Sequence, residues 1–447
     1  MDEYSRYNTL LNKKLLALSE KNEDYWSFKG NSNRDYGHGL FQYPAMMVPQ
    51  VTQAIIENII EVHPGIMKIY DPFVGSGTVM TESMIKGLSF YGTDVNPLAI
   101  LLCQVKSGPF YINKLIVKSE ELTKKIKADK KTNYEIDYYN KNKWFTKSTL
   151  ICLSKIKRSI KLENELWARK FFWIVLAETI RLTSNSRTST FKLHIRTDED
   201  ISYRKDNINV IDVFINVLNN NIIEYTNLYT KLEEKNYLYN GRFTKDIQIV
   251  STDVKDVCNL VKADIIITSP PYGDNTTTVP YGQHSFLPLQ WIDFSDIDKT
   301  LKKELLLKTT NEIDRRSLGG RKNIDEDEKK ELIQKSNSLK KYLENIPDKP
   351  EDKPTKVLTF FRDLNNCIAP ILQNLNNGGI MVWVLGNRMV CGKQVPLDNI
   401  LSDLLEWHNV SVFCKLSRKI PLKRMAQKNN FAKTMSDEVI LLMRKGG

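Results

Sequence analysis

The stretch Asp71-Pro72-Phe73-Val74-Gly75-Ser76-Gly77-Thr78 constrains this chain more than any other. It follows Lys68-Ile69-Tyr70, whose apolar and aromatic character predicts a short strand, and it precedes a helical stretch from Val79 to Lys86. A glycine turn between a strand and a helix lets the backbone approach a ligand closely and aims the helix's first N–H groups at it. A lone Gly-x-Gly says little, but an Asp at the strand end with Pro behind it makes the string specific. The next strand, Leu88 to Gly92, runs on to Asp94. An acidic residue at the end of the second strand of a Rossmann-like unit commonly receives ribose hydroxyls. The plainer reading of Asp94 is a helix cap before Pro97.

The alternation of strand and helix stops near Ile112 and resumes at Ile247–Asp253, followed by a predicted helix from Val254 to Val261. The run Asp264 to Thr268 then reads as a buried strand ending in Ser269-Pro270-Pro271-Tyr272. Two prolines end sheet pairing and stiffen the turn, leaving carbonyls without local donors. Ser269 adds a polar acceptor and Tyr272 a flat ring. Such a turn can accept hydrogen bonds from an amino group beside a planar base, at the carboxyl end of a parallel strand, where open α/β sheets bind ligands. Downstream, Val357 to Leu375 predicts a helix stopped by Asn376–Gly379, then a strand Ile380–Leu385, a helix Val395–Trp407 and closing strands Val410–Leu416 and Glu438–Arg444. The fold class is α/β, a Rossmann-like sheet with helical insertions.

Two insertions interrupt the sheet. Residues 112–245 carry 26 Lys and Arg against 16 Asp and Glu, leaving +10 of the chain's net +12 in this region. Such a basic excess suggests a polyanion partner, although a lysine-rich solvated surface reads the same way. Long helical patterns are expected over Trp144–Glu178 and Asp206–Leu238. Between them a polar loop holds Arg187, Lys192, His194 and Arg196, which suit phosphate and base contacts. Arg418, Lys419, Lys423 and Arg424 form a second basic loop. In residues 274–354, Arg315-Arg316 is closely followed by Asp325–Glu328, and a solvated surface is the expectation there. The six cysteines form no CxxC pair, so neither a zinc site nor a disulfide framework is expected, nor any other metal site. No run approaches the roughly 18 apolar residues of a membrane span, and residues 1–30 lack a signal-like core, so a cytoplasmic location with no membrane partner is the default.

Together, Phe41-Gln42-Tyr43-Pro44-Ala45, Asp71–Thr78 and Ser269–Tyr272 resemble the three motifs of S-adenosylmethionine-dependent DNA amino-methyltransferases. The resemblance spans about 40–110 and 246–445 and implies a mixed seven-stranded sheet. It divides the chain into 1–111 (arm, cofactor motif and first half-sheet), 112–245 (target recognition), 246–273 (third and fourth strands with the catalytic motif), 274–354 (second insertion) and 355–447 (end of the sheet). It implies that Asp71 and the Gly75–Gly77 turn hold the methionine end of S-adenosylmethionine, that Phe73 and Thr78 also bind this cofactor, that Asp94 takes the ribose and that Asp253 lies near the adenine. Phe41, Tyr43 and Pro44 would close that pocket. Ser269 and the Pro270 carbonyl, stiffened by Pro271, would accept hydrogen bonds from the target amine, with Tyr272 stacking on the base. Double-stranded DNA is the implied substrate, with a cognate restriction endonuclease acting separately. The chain has no Pro-Cys dipeptide, which ring-carbon methylation would need. Ser-Pro-Pro-Tyr leans toward cytosine N4 over adenine N6. An RNA base methyltransferase and an inactive DNA-binding subunit stand as alternatives. One departure from the family is the large insertion between the second and third strands.

Overall fold

A computed structural model describes residues 3–273, 278–320, 323–346, 352–390, 392–420 and 436–446. Seven strands form one sheet: β1 (Lys68–Asp71), β2 (Ser89–Asp94), β3 (Ile247–Ser251), β4 (Ala263–Thr268), β5 (Leu375–Leu385), β6 (Val410–Lys419) and β7 (Asp437–Lys445). Their spatial order is β6-β7-β5-β4-β1-β2-β3. Only β7 runs against its neighbours, pairing antiparallel with both β5 and β6. The expected mixed seven-stranded α/β sheet is thus the observed one.

Both faces of this sheet are buried, so its central strands are apolar at successive positions and not only at alternate ones. Ile265 and Ile267 of β4 enter one hydrophobic cluster, and Ile266 between them the other. In β5, Ile380, Val382 and Val384 point one way while Met381, Trp383 and Leu385 point the other. This period of two follows from the pleat. Full burial of side chains this size stabilises by roughly 1.5–3 kcal/mol each relative to exposure, before chain entropy is counted.

The helices divide between the two faces. Those needed here are α1 (Glu3–Lys21), α2 (Pro49–Val62), α3 (Thr78–Ile85), α4 (Pro97–Lys106), α5 (Ile112–Ala128), α6 (Lys147–Lys161), α7 (Leu166–Thr183), α8 (Asp198–Asn207), α9 (Val210–Glu233), α10 (Tyr281–Trp291), α11 (Glu312–Arg316), α12 (Glu326–Lys335), α13 (Asn337–Glu344), α14 (Asp352–Gln373) and α15 (Leu397–Glu406). Of the first insertion, α5, α6, α7 and α9 pack into the first cluster, whereas α8 buries no residue. The second insertion bridges the faces. Leu289, Trp291 and Ile313 belong to the first cluster, whereas Leu318, Leu332 and Leu339 belong to the second.

Four expectations need correction. The pattern at Trp144–Glu178 is two helices, α6 and α7, parted at 162–165. The stretch after β3 is a single tight turn, Val254–Asp256, and not a helix to Val261. Asp253 caps that turn through Lys255 N, and Asn259 sits at φ 54, which a helix cannot contain. The pattern at 206–238 is two helices, because the Asn209 side chain accepts hydrogen bonds from Ile211 N and Asp212 N and starts α9 there. Strand β5 begins at Leu375, before the expected stop, with a register break against β4 taking up Asn376–Gly379. No helix of the described residues is long and apolar enough to cross a membrane.

Candidate active site

Chain order reverses between β1 and β4, and the crevice outside their carboxyl ends is where an open α/β sheet binds ligands. A hydrogen bond closes the base of that crevice. Thr268 Oγ1, at the end of β4, donates to Asp71 Oδ1, at the end of β1, over 2.6 Å. Phe73 N donates to the same oxygen at 3.0 Å. Burial pushes the Asp71 carboxyl up to about 7, against the lowering by those two donors.

The glycine turn is held from both sides. Gly75 and Gly77 have φ of +48° and +74°, conformations that L side chains rarely adopt. Gly75 N donates to Asp94 Oδ2 at 2.9 Å, and Asn96 N donates to Asp94 Oδ1 at 2.8 Å. Burial raises the Asp94 carboxyl to about 6 in spite of these N–H groups. Behind the turn, the buried Lys106 at the end of α4 donates from Nζ to Ser76 O at 2.8 Å. Burial lowers its ammonium to about 8. Asn96 joins two separate motifs, since its Nδ2 donates to Tyr43 OH at 3.1 Å and to Ser285 Oγ at 2.8 Å.

These groups border one cavity of about 760 Å³, a size typical of small-molecule sites. Its wall includes Tyr43, Pro44, Asp71, Phe73, Gly75, Thr78, Asp94, Asp253, Ser269 and Pro271. The expected cofactor residues are therefore brought together, with two exceptions. Gly77 lies behind the wall, packed against Cys103. Phe41 is buried in the core, edge-on to His284, and does not close the pocket. Met46, Met47, Asn96 and Tyr281 line the cavity as well, and no motif pointed to them.

At the far side, Ser269 Oγ donates to Tyr272 OH at 3.2 Å, and Tyr272 OH donates to Glu438 Oε1 at 2.9 Å. Burial, then the neighbouring Glu438 carboxylate, holds the Tyr272 phenol well above its ordinary range, so it is protonated. Pro270 is buried. Tyr272 stands behind Ser269 and Pro271, half-buried against the second cluster, and its ring is not part of the cavity wall.

The second insertion roofs the cavity. Lys302, Arg315 and Arg316 line it with exposed side chains, both arginines loosely paired to Glu312 at 3.7 and 3.6 Å and Arg316 Nη2 donating to Leu305 O at 3.3 Å. Arg315 and Arg316 are solvated, as expected, and their place on the cavity rim is what the sequence did not indicate. In the first insertion, Arg187 and His194 are exposed on a small hairpin closed by Arg187 N donating to His194 O at 2.8 Å, and Lys192 is half-buried there. The hairpin touches the rim, with Phe191 edge-on to His284 of α10 at 5.5 Å between ring centres. Arg196 is spent inside the hairpin on Ser186 O and Asp200. Arg418 is buried and paired with Glu438, so it is no surface cation. Lys419 is exposed near Asp24 at 3.4 Å, and Lys423 and Arg424 lie outside the described residues. Among the described residues no group of three or more His, Cys, Asp or Glu is arranged to hold a metal.

Comparison with known proteins follows the same lines. The family model described as D12 class N6 adenine-specific DNA methyltransferase matches residues 53–312. Type II methyltransferase M.MvaI of Kocuria varians is 33% identical over 452 residues, covering 96% of this chain and 96% of its own. Type II methyltransferase M.MjaII of Methanocaldococcus jannaschii is 31% identical over 119 residues, 24% of this chain and 22% of its own. Among solved structures, the rRNA methyltransferase aviRa from Streptomyces viridochromogenes covers 90% of this chain and 86% of its own, at 10% identity and a TM-score of 0.32. The chain is a DNA methyltransferase of the type II restriction-modification kind and belongs to the D12 class family.

Proposed function

We propose that this chain methylates the exocyclic amine of a base turned out of duplex DNA, with cytosine N4 as the acceptor and a separate cognate endonuclease cutting unmodified sites. The observation that carries this reading is the single cavity shared by Ser269, Asp71, Asp94 and the glycine turn. The donor set fits S-adenosylmethionine, whose sulfonium supplies an activated methyl group when bound. Asp94 takes the ribose hydroxyls, and Asp71 with the Gly75–Thr78 turn takes the methionine end. Asp253, a half-exposed carboxylate at the end of β3, faces the adenine.

Ser269 accepts a hydrogen bond from the target amine. An aromatic amine is a poor nucleophile because its lone pair is delocalised, and acceptors on its protons favour the pyramidal nitrogen of the transition state. Positioning in line supplies much of the remaining rate. Turning the base out costs roughly a few kcal/mol. The hairpin side chains of Arg187, Lys192 and His194, with Lys419, grip the duplex, and Arg315 and Arg316 grip phosphates beside the cavity. The first insertion, 112–245, reads the sequence.

A second reading, adenine N6, is favoured by the family model's description. The test is methyl transfer from labelled S-adenosylmethionine to DNA and to RNA, followed by digestion and mass spectrometry of nucleosides. N4-methylcytosine in DNA is the expected product. N6-methyladenine would move the assignment to the second reading, and label only in RNA would overturn it. Ser269→Ala is expected to lower transfer at least a hundredfold.

A further inference from the structure

The hydrogen bonds at Ser269 all run one way. Its Oγ donates to Tyr272 OH, and Tyr272 OH donates to Glu438 Oε1. Glu438 accepts from Arg418 Nη1 on its other oxygen, and Arg418 Nε donates to Trp26 O at 3.0 Å. Arg418 and Glu438 are direct cross-strand partners in the β6–β7 pair, so sheet register fixes their approach. Each hydroxyl proton is already committed to the next acceptor, and the series ends on a carboxylate whose charge is neutralised by a buried guanidinium. Ser269 therefore offers only lone pairs to the cavity. A serine with a free rotor would offer a proton as readily, and a proton facing the target amine would repel it.

We propose that Glu438, acting through Tyr272, is the positioning residue that makes Ser269 a pure acceptor, and that the same series carries away the proton the methylated amine must lose. This rests on the reading of Ser269 as the target-amine contact. After methyl transfer the nitrogen holds one proton too many. One N–H bond breaks and an O–H bond forms on Ser269 Oγ. The original Ser269 proton passes to Tyr272 oxygen, and the original Tyr272 proton passes to Glu438. The methylated base leaves neutral and Glu438 is left as a carboxylic acid. The Glu438 side chain is 15% exposed and returns the proton to solvent. No further reactant is needed.

Two variants test this, Glu438→Gln and Tyr272→Phe, the second leaving the Arg418–Glu438 pair in place should the first fail to fold. The first readout is cofactor-free binding of duplexes carrying either the target base or an analogue with hydrogen in place of its amino group. The wild-type protein is expected to prefer the amine about fivefold, the worth of one ordinary hydrogen bond, and both variants to lose the preference. The second is single-turnover transfer at saturating substrates, expected to fall about a hundredfold in both variants with cofactor affinity unchanged. Wild-type discrimination and rate in Tyr272→Phe would overturn the proposal. If Ser269→Ala loses activity in the same assay, the function stands and only the relay falls. If Ser269→Ala also behaves as wild type, the assignment of Ser269 falls, and the relay with it.

Discussion

Replacing Gly77 by alanine tests whether the glycine turn is demanded by backbone conformation, by packing, or by both. At φ +74°, alanine carries a penalty of roughly 1–2 kcal/mol for the left-handed region. Its Cβ would also stand 2.8 Å from Cys103 Sγ and 3.4 Å from Met80 Cε, both in side chains fully buried in the core. Relieving such an overlap costs about 1–3 kcal/mol. Alanine restricts the unfolded chain and returns about 0.4–1 kcal/mol. The net loss is therefore about 1–4.6 kcal/mol, centred near 3, readable in urea unfolding followed by tryptophan fluorescence. Gly75→Ala is the control. Its Cβ would meet Tyr43 Cε1 at 3.6 Å and Phe73 O at 3.8 Å, ordinary contacts, so only the conformational penalty remains. Its net cost is about 1 kcal/mol on the same scale. Cys103→Ala removes the overlapping sulfur and should recover about 1 kcal/mol or more of the Gly77→Ala loss as a double-mutant coupling. Equal losses at Gly75 and Gly77, with no coupling to Cys103, would refute the packing half of the argument.

On the proposed role of Asp94 in taking the ribose hydroxyls as a carboxylate, cofactor affinity should fall as pH drops through about 6, by up to tenfold per unit, because burial raises that carboxyl to about 6. The same raised carboxyls, Asp94 and Asp71 at about 7, hold protons in the folded state that an unfolded chain releases near pH 4, so their contribution to the stability of the cofactor-free protein is full below pH 4 and lost as pH rises toward 7. Calorimetric titration and unfolding across pH 5–8 should thus show opposite trends. Arg315→Ala and Arg316→Ala should each lower the salt slope of DNA binding by about one while leaving cofactor affinity alone. An unchanged slope would remove them from the DNA interface. Lys106→Met should weaken cofactor binding about tenfold by freeing the Ser76 carbonyl, with DNA affinity unaffected in a gel-shift assay. Arg418→Ala should cost about 3–5 kcal/mol in urea unfolding by leaving the Glu438 carboxylate unpaired in its shielded site, with no change in salt slope.

The sheet was legible because its signals are local. Lys68–Asp71 and Asp264–Thr268 are short apolar runs ended by Pro or Gly, and strand and glycine turn need no distant partner to be read. The helix expected at Val254–Val261 failed for an equally local reason, the left-handed Asn259, which the apolar spacing concealed. The roof over the cavity had no such signal. Arg315 and Arg316 look solvated in sequence because acidic residues follow closely, but those residues belong to α12, whose Leu332 packs on the second face of the sheet. What brings the arginines over the crevice is the passage of the second insertion from one hydrophobic cluster to the other, and that is a property of the tertiary fold.

Arg418 shows why charge clustering misled. It lies in a run of basic residues, and by composition alone it is indistinguishable from Lys419. The β6–β7 ladder separates them. Alternate residues of a strand face opposite sides, so Arg418 turns inward opposite Glu438 while its neighbour Lys419 turns to solvent opposite Asp437. A buried guanidinium needs a partner, and Glu438 is the carboxylate that register supplies. That partner is in turn the acceptor for Tyr272, twenty residues further along the strand pair and far from the Ser-Pro-Pro-Tyr turn in sequence. The residue discarded as a DNA contact is therefore the one that anchors the site from behind. Removing its charge should disturb Ser269 through two intervening side chains, without touching a phosphate.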